Sequence, residues 1–224
     1  MDRRLYLEKQ IKSLFNEKDI KKAEEEFEQY NRLMSYYRCA MMEIETKFNV
    51  LNEEFSLRND RNPISSIKSR LKNPISIKEK VKRKGFSTDL AEIEKNIDDI
   101  AGVRVICSFL DDVYMLADAL LKQDDINLHE MKDYIKNPKP NGYRSLHLIV
   151  SVPIFLATEK RPMKIEIQLR TIAMDCWASL EHQLRYKKEF AFTEEMSREL
   201  LECANLSSEL DIKMNKLGDK ILED

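Results

Sequence analysis

Three segments in the middle of the chain alternate apolar and polar residues, and this pattern constrains the fold more than any other. They lie at about residues 103 to 109, 143 to 152 and 163 to 170, and Gly102 stands directly before the first. A period of two places the apolar side chains on one face of an extended segment. The alternation therefore predicts three half-buried β-strands.

Predicted helices separate these strands. Asp111 is suited to cap one helix, and Thr171 is suited to cap another that runs to about Lys187. Residues 128 to 135 are expected to form a short edge strand. Because strands and helices alternate along the chain, we predict an α+β fold in which a mixed β-sheet is flanked by helices.

Long helices are predicted at both ends, in residues 3 to 57 and 196 to 221, where apolar side chains recur at spacings of three and four. Such a stripe is either a coiled-coil seam or the inner face of a packed helix. We expect the first stripe to pack within the chain and the second to form an oligomer contact. The predicted organisation is an N-terminal helical segment (1–58), a core (59–190) and a C-terminal helix (191–224).

Composition excludes several classes of protein. A formal net charge of −2 argues against a general nucleic-acid or membrane binder, whose basic excess would extend over the whole chain. Four cysteines without a CxxC pair, Cys39, Cys107, Cys176 and Cys203, suit reduced thiols in the cytoplasm and no zinc site. The N-terminus has no apolar segment typical of a signal peptide, and no apolar run is long enough to span a membrane.

One short segment carries most of the local charge. Residues 70 to 84, RLKNPISIKEKVKRK, hold seven Lys or Arg residues against one Glu. Two like charges about 4 Å apart repel by roughly 4 kcal/mol at an effective dielectric near 20. A folded chain tolerates such crowding if the side chains spread into water or converge on an anion, and the charge alone leaves both interpretations open.

The spacing within this segment indicates how cations would converge. Pro74 favours extended backbone at the residue before it, so Arg70 and Lys72 are expected to share one face of a strand. A capping box at residues 76 to 79 is expected to open a short helix that Gly85 ends. One stripe of that helix would carry Ser76, Lys80 and Arg83. Cations at a helix N-terminus are typical of a polyphosphate site.

The second and third strands would present a polar surface if they pair as a hairpin. That surface would carry Tyr143, His147, Glu166 and Gln168. Any one of them is ordinary on an exposed sheet face. Asp99 lies shortly before the strand that Gly102 opens, where it is either part of a solvated turn or able to reach a site at the sheet edge. Two carboxylates, Asp99 and Glu166, could hold Mg²⁺ against phosphate oxygens.

With these residues in hand, the chain resembles the synthetase domain of the RelA/SpoT alarmone enzymes, and more narrowly the small alarmone synthetases. The resemblance covers roughly residues 60 to 187. It is carried by four segments: SRLKNPISIKEKVKRKG, DDIAGVRVICSF, MKDYIKNPKPNGYRSLH and KIEIQLRTIAMDCWASLEHQLRYK. The resemblance implies a fold related to the nucleotidyltransferases. It also implies a reaction, in which the β,γ-pyrophosphate of ATP is transferred to the 3′-hydroxyl of GDP or GTP to give ppGpp or pppGpp and AMP.

The resemblance also implies roles for individual residues. ATP would be bound by two arginines at the adenine, Arg70 and Arg104, and at its phosphates by Lys72, Ser76, Lys80 and Arg83. Mg²⁺ would be bound by Asp99 and Glu166, and Glu166 would also be the base. Tyr143 would stack on the guanine of the acceptor. The remaining acceptor contacts would come from Lys132, Lys139, Asn141, His147 and Gln168.

Two departures from the family pattern limit what the resemblance implies. Longer members also carry a hydrolase domain with His-Asp motifs; this sequence has no His-Asp pair, so we predict synthesis without degradation. The loop before Lys-Asp-Tyr often begins with Arg in the family but has Glu130 here, which leaves the metal response and the acceptor preference open. The terminal helices fit the tetramers of the family. Two alternatives stand beside this hypothesis, a toxin-like relative that pyrophosphorylates tRNA and a catalytically inactive nucleotide-sensing module.

Overall fold

The structure is a computed structural model that describes residues 17–59, 61–186 and 192–222. The chain forms two compact units, one that ends at Tyr36 and one that begins at Tyr37. The described part of the first unit is helical. The β-sheet and the candidate site belong to the second unit.

The described residues form six helices and five strands. The helices are α1 (Glu17–Asn59), α2 (Pro74–Lys84), α3 (Leu90–Asn96), α4 (Leu110–Leu121), α5 (Ile172–Tyr186) and α6 (Glu194–Leu222). The strands are β1 (Ile64–Leu71), β2 (Ala101–Cys107), β3 (Asn127–Asp133), β4 (Leu146–Phe155) and β5 (Lys160–Thr171). No helix in these ranges is long and apolar enough to cross a membrane.

The five strands form one mixed sheet in the order β1-β2-β5-β4-β3. The central pair, β2 and β5, is parallel, and the other three pairs are antiparallel. The predicted mixed sheet flanked by helices is therefore confirmed. The predicted hairpin is confirmed as β4 and β5, and the predicted edge strand as β3.

The apolar positions of the alternating pattern form the core. Val105 in β2, Leu148 in β4 and Ile167 in β5 are fully buried. Leu116 and Leu120 of α4 are also fully buried. Burying side chains of this size contributes about 1.5–3 kcal/mol each, so the two-residue period fixes which face of the sheet points inward.

The first apolar stripe serves mainly as the inner face of α1, as expected. Between Tyr37 and Leu51 its members are buried: Tyr37, Met41, Ile44, Phe48 and Leu51. Polar contacts fix the same part of the helix. Lys47 donates to the carboxylate of Asp125 at 2.7 Å, and the side-chain oxygen of Asn52 accepts from the backbone N–H of Ile64 at 3.0 Å. The predicted N-terminal segment includes residues 1–16, which lie outside the described residues.

Two predicted helix starts are wrong by two or three residues. The helix α2 begins at Pro74 rather than at a capping box on Ser76, because the side chain of Asn73 accepts from the backbone N–H of Ser76 at 2.7 Å. Proline suits the first helical position since it has no N–H to leave unbonded. Gly85 ends this helix as predicted, with φ of 73°.

The helix α4 begins at Leu110, so Asp111 lies in its first turn and is not the N-cap. The next carboxylate, Asp112, instead accepts from the backbone N–H of Phe109 at 3.0 Å. The predicted cap on α5 is confirmed, because the hydroxyl of Thr171 accepts from the backbone N–H of Met174 at 3.1 Å. The strand predicted from residue 143 begins only at Leu146, and the residues before it belong to a loop.

Candidate active site

One row of polar side chains crosses the whole sheet. Residues paired directly across neighbouring strands lie side by side on the same face. Such pairs follow one another from β1 to β3, and each strand contributes one member: Lys68, Arg104, Gln168, His147 and Lys132. The polar positions of the alternating pattern therefore meet on the face opposite the apolar ones.

A cleft of about 470 Å³ lies on the same face, two residues along the strands from this row. There Arg70 pairs with Gly102, and Gly102 pairs with Glu166. A Cβ at Gly102 would lie 4.0 Å from Oε2 of Glu166 and 4.0 Å from the backbone oxygen of Arg70. The glycine thus leaves the floor of the cleft open between a guanidinium and a carboxylate.

Asp99 closes one side of this cleft and is neutralised by two lysines. Lys72 lies 2.6 Å from Oδ2 of Asp99, and Lys80 lies 2.7 Å from Oδ1. Burial raises the pKa of Asp99, but the hydrogen bonds and charges of the two lysines outweigh burial, so the pKa lies below its ordinary value. Asp99 is therefore an ionised carboxylate with cations on both oxygens.

Glu166 lines the same cleft and accepts two hydrogen bonds. Nε2 of Gln168 donates to Oε2 at 2.9 Å, and Nδ1 of His147 lies 3.3 Å from Oε1. Burial raises the pKa of Glu166, yet these two partners outweigh burial and leave the pKa below its ordinary value. Glu166 is therefore ionised near neutral pH, and it is close enough to Asp99 that the charge of Asp99 acts on its pKa in the opposite direction.

A chain of hydrogen bonds sets the tautomer of His147. Arg170 donates to the hydroxyl oxygen of Tyr143 at 2.6 Å, and that hydroxyl lies 2.8 Å from Nε2 of His147. Because the ionised Glu166 carboxylate only accepts, Nδ1 of His147 must supply the hydrogen between them, and in the neutral imidazole Nε2 then accepts from the Tyr143 hydroxyl. Nε2 is then the acceptor, and Nδ1 carries the hydrogen that faces Glu166. Arg170 also donates to Oε1 of Gln168 at 2.9 Å, which closes a ring of contacts around the carboxylate.

A buried carboxylate at the start of α5, Asp175, binds cations from three strands. Lys68 of β1 lies 3.1 Å from Oδ2, while Arg104 of β2 and Arg170 of β5 each lie 3.2 Å from Oδ1. Asp175, Lys68 and Arg170 were not predicted as site residues. Arg170 ends the alternating segment 163 to 170, and Asp175 follows Thr171 in the first turn of α5, so both had a signal in the sequence. Lys68 lies outside the three alternating segments and had none.

Only some side chains of the basic segment, residues 70 to 84, converge on the cleft. Arg70 and Lys72 line the cleft, and Lys80 reaches it through Asp99. Ser76 and Arg83 lie on α2 but not among the described residues that line the cleft, and Arg83 is exposed. Arg70 lies on β1 and Lys80 on α2 as predicted, whereas Lys72 follows β1, which ends at Leu71, and is not part of the strand.

The predicted acceptor residues surround a loop between β3 and β4. The ammonium of Lys139 lies 4.8 Å from the centre of the Tyr143 ring, within range of a cation–π contact. Asn141 accepts from the backbone N–H of Tyr143 at 3.2 Å and so shapes the loop itself. Lys132 pairs with Glu130 at 2.7 Å, and that hydrogen bond raises the pKa of Lys132. The unusual Glu130 therefore neutralises one predicted phosphate ligand.

The same loop rests against the C-terminal helix. Gly142 has φ of 87°, and a Cβ placed on it would lie 2.5 Å from the Cβ of Ala204 in α6. The side chain of Arg144 donates to the backbone oxygen of Ala204 at 3.2 Å. The position of the loop that carries Tyr143 is thus set partly by α6.

The donor set suits a hard divalent cation that also binds a substrate. Within the described ranges, no group of three or more His, Cys, Asp or Glu side chains could hold a metal ion alone. Two ionised carboxylates, Asp99 and Glu166, do line one cleft. Mg²⁺ is commonly held by one or two carboxylates together with substrate phosphates, and this arrangement fits that pattern.

Comparisons with known proteins agree on one family. Residues 69–191 match the family described as a region found in RelA / SpoT proteins. The GTP pyrophosphokinase YwaC of Bacillus subtilis is 43% identical over 187 residues, which cover 84% of this chain and 89% of that protein.

Solved structures show the same fold over nearly their whole length. Small alarmone synthetase 2 of Bacillus subtilis is 41% identical with a TM-score of 0.77, covering 85% of this chain and 98% of that one. Small alarmone synthetase 1 of the same organism, bound to its product pppGpp, is 34% identical with a TM-score of 0.77 and covers 87% of this chain and 98% of that one. This chain therefore belongs to the RelA/SpoT family and, within it, to the small alarmone synthetases.

Proposed function

We propose that this chain is a GTP pyrophosphokinase, which transfers the β,γ-pyrophosphate of ATP to the 3′-hydroxyl of GDP or GTP and releases AMP. The observation that carries the proposal is that two ionised carboxylates, Asp99 and Glu166, share one cleft with the cations of β1 and β2. Its relatives YwaC and YjbM of Bacillus subtilis are named GTP pyrophosphokinases. The products would be the alarmones ppGpp and pppGpp, the signals of the stringent response.

The donor nucleotide would occupy the cleft beside β1 and β2. Arg70 and Arg104 line it, and their planar guanidinium groups are suited to stacking on an adenine. Lys72 and Lys80 would bind the ATP phosphates, with further contacts from Ser76 and Arg83. The two lysines already converge on Asp99, so their ammonium groups are held at the site before a phosphate arrives.

Lys72 and Lys80 pair with Asp99, which is also a proposed metal ligand. Mg²⁺ would be held by Asp99 and Glu166 and would neutralise charge on the phosphates of the donor when bound. Phosphoryl transfer depends mainly on positioning and charge neutralisation, so a cluster of preset charges is what the reaction needs. With Asp99 holding the metal, Lys72 and Lys80 would be available to bond the phosphate oxygens.

Glu166 would accept the proton of the attacking 3′-hydroxyl. Its pKa lies below the ordinary value, so the carboxylate is ionised and able to accept a proton at neutral pH. Two fixed donors, His147 and Gln168, orient its oxygens. A base held in one orientation by neighbouring side chains is the usual arrangement in general base catalysis.

The acceptor would lie on the other side of Glu166, along β4 and the loop before it. Tyr143 would stack on guanine, and its hydroxyl is anchored by Arg170 and His147. Lys132 and Lys139 would bind acceptor phosphates, His147 the phosphates or ribose, while Asn141 and Gln168 would position the nucleotide.

A direct assay tests the activity. Purified protein with Mg²⁺, labelled ATP and GDP should form a guanosine tetraphosphate. Glu166→Gln should abolish it while nucleotide binding remains. Glu53→Gln, on the exposed part of α1, is the matched control and should act like wild type. Absence of product with GDP, GTP and GMP at several metal concentrations would overturn the proposal.

The same assay separates the two alternatives. Label transferred to tRNA, without a free tetraphosphate, would favour a toxin-like relative. Nucleotide binding without turnover would favour an inactive sensing module. The net charge of −2 supports a small nucleotide acceptor over RNA, because RNA binding rests on a large excess of cations.

We also propose that the chain forms a homo-oligomer, a tetramer as in the family, through α6, and that it works in the cytoplasm. The inner face of α6 has small or polar residues such as Ala204 and Asp211, which are buried, whereas Leu206 and Leu210 are 64% and 52% exposed. Large apolar side chains on the outer face of a helix support a contact with another copy. All four cysteines are free, which supports a reducing compartment.

A further inference from the structure

Asp175 contacts one arginine from each half of the candidate site. Its Oδ1 atom accepts from Arg104, which lines the donor cleft, and from Arg170, which bonds the acceptor residues. Both distances are 3.2 Å. The guanidinium groups of Arg104 and Arg170 thus share one oxygen atom, so a shift of one changes the position available to the other.

The surroundings of Asp175 show why a negative charge is needed there. Asp175 and Arg170 are 7% and 4% exposed, so water does little to screen them. Burial lowers the pKa of Arg104, and the charge of Arg170 lowers it further. Without the carboxylate, the two guanidinium groups would repel each other across a buried space.

Arg170 carries the effect of Asp175 to the acceptor side. One of its terminal nitrogens bonds Asp175, and the other donates to both Tyr143 and Gln168. The same arginine therefore fixes the aromatic ring expected to stack on guanine and the amide that orients Glu166. A shift of Arg170 would disturb both.

We propose that Asp175 is a positioning residue that couples donor and acceptor binding, holding Arg104 for the donor and, through Arg170, Tyr143 for the acceptor. This inference rests on the proposed function. Asp175 touches neither nucleotide; it acts only through the two arginines.

Steady-state kinetics of Asp175→Asn test the inference. The KM for ATP and the KM for GDP should each rise about tenfold, as expected when a charge-assisted hydrogen bond is lost on each side. Asp118→Asn, an exposed carboxylate on α4, is the matched control and should leave both values unchanged.

Double variants separate positioning from a general structural effect. In an Arg104→Gln background, Asp175→Asn should no longer change the KM for ATP beyond about twofold, because its route to the donor is gone. It should still raise the KM for GDP. In an Arg170→Gln background the pattern should reverse, because both contacts of Arg170 on the acceptor side, with Tyr143 and with Gln168, are gone. Equal fold-changes in every background, or unchanged KM values in a folded Asp175→Asn protein, would overturn the inference.

Asp175→Glu keeps the test decisive if the Asn variant does not fold. It retains the charge but moves the shared oxygen by one methylene, so both KM values should rise less than in Asp175→Asn, with the same dependence on background. Unchanged KM values in Asp175→Glu would then overturn the inference. If the wild-type protein forms no tetraphosphate, the proposed function fails, and calorimetric binding of GDP and of a non-hydrolysable ATP analogue to the same variants still tests the coupling.

Discussion

Lys72 and Asp99 form an ion pair of 2.6 Å. The lysine expected to bind phosphate is thus paired with the carboxylate expected to bind the metal. Lys80 binds the second oxygen of the same carboxylate at 2.7 Å. Two ammonium groups therefore share one carboxylate, and the three side chains together carry a net charge of +1. The excess positive charge suits this corner of the cleft to an anion such as a phosphate.

Asp99→Asn should lower the rate of synthesis by about 100-fold or more, the size of effect seen when one preset electrostatic contact is lost from a catalytic site. The Mg²⁺ concentration that gives half the maximal rate should rise, because the proposed metal site would lose one of its two carboxylates. Initial rates across a magnesium series measure both effects. The neighbouring Asp98→Asn is a matched control, since Asp98 pairs with Lys164 instead. Wild-type rates for Asp99→Asn would contradict its role.

Gly102 should tolerate alanine but not a large side chain. A Cβ at this position meets its neighbours at 3.8 to 4.0 Å, which is ordinary contact, and alanine should stabilise the strand by about 0.5–1 kcal/mol. Gly102→Leu would fill the cleft between Arg70 and Glu166, so it should abolish ATP binding while the protein stays folded. Calorimetry and urea unfolding of both variants measure this. Normal ATP affinity in Gly102→Leu would show that the donor lies elsewhere.

Gly142→Ala and Gly85→Ala form a matched pair, because both glycines have positive φ, 87° and 73°. The left-handed conformation alone should reduce the free energy of unfolding by about 1–2 kcal/mol in each variant. Only Gly142→Ala also meets Ala204, so it should lose more stability and displace the loop of Tyr143. We expect a higher KM for GDP in Gly142→Ala and a normal one in Gly85→Ala. Equal behaviour of the two variants would contradict a role for α6 in placing the loop.

Asp211→Asn should stabilise the protein, and more so as the pH rises. The hydroxyl of Thr171 donates to Asp211 at 2.7 Å. Burial raises the pKa of Asp211 more than Thr171 and Arg144 lower it. Between the ordinary pKa and the raised pKa, the Asp211 carboxyl is therefore protonated in the folded protein but ionised in the unfolded chain. Stability is lost as the pH rises from about 4, the ordinary value, through the raised pKa.

Asparagine keeps an oxygen for Thr171 but cannot ionise, so its advantage over aspartate should grow across that interval. Urea unfolding at several pH values measures it, with the exposed Asp219→Asn of the same helix as control. An advantage that does not change with pH, or that shrinks as the pH rises, would contradict the prediction.

Leu206→Glu combined with Leu210→Glu should convert the proposed oligomer to smaller species, because charges would replace apolar side chains on the outer face of α6. Light scattering after size-exclusion chromatography measures the mass. Phe155→Glu, on a residue that is 68% exposed at the end of β4, is the control for an equally exposed apolar position. An unchanged mass for the α6 variant would place the contact elsewhere.

The fold class and the family could be predicted because their signals are local. The two-residue period of a strand places Glu166 and Gln168 on the face opposite Ile167, whichever strands pair with it. In the structure Ile167 is buried, and Glu166 and Gln168 line the cleft on the other face. The segment boundaries were less predictable. Asn73 competed with Ser76 for the cap of α2, and Asp112 competed with Asp111 at α4, since each is chemically able to cap.

The buried part of the site could not be predicted from local pattern. Asp175 binds Lys68 and Arg104, which precede it by 107 and 71 residues, and no local period links them. The convergence of Lys72 and Lys80 was expected, but their pairing with Asp99 was not. The roles assigned to individual site residues remain predictions.

The strand order has a consequence for synthesis of the chain. The central strand β5 is the last to be made, yet it lies between β2 and β4 and supplies Glu166. A nascent chain that has left the ribosome only as far as β4 holds the basic segment and the loop of Tyr143, but has neither Glu166 nor the strand that joins the two halves of the sheet. The two halves of the candidate site thus come together only after β5 has been made.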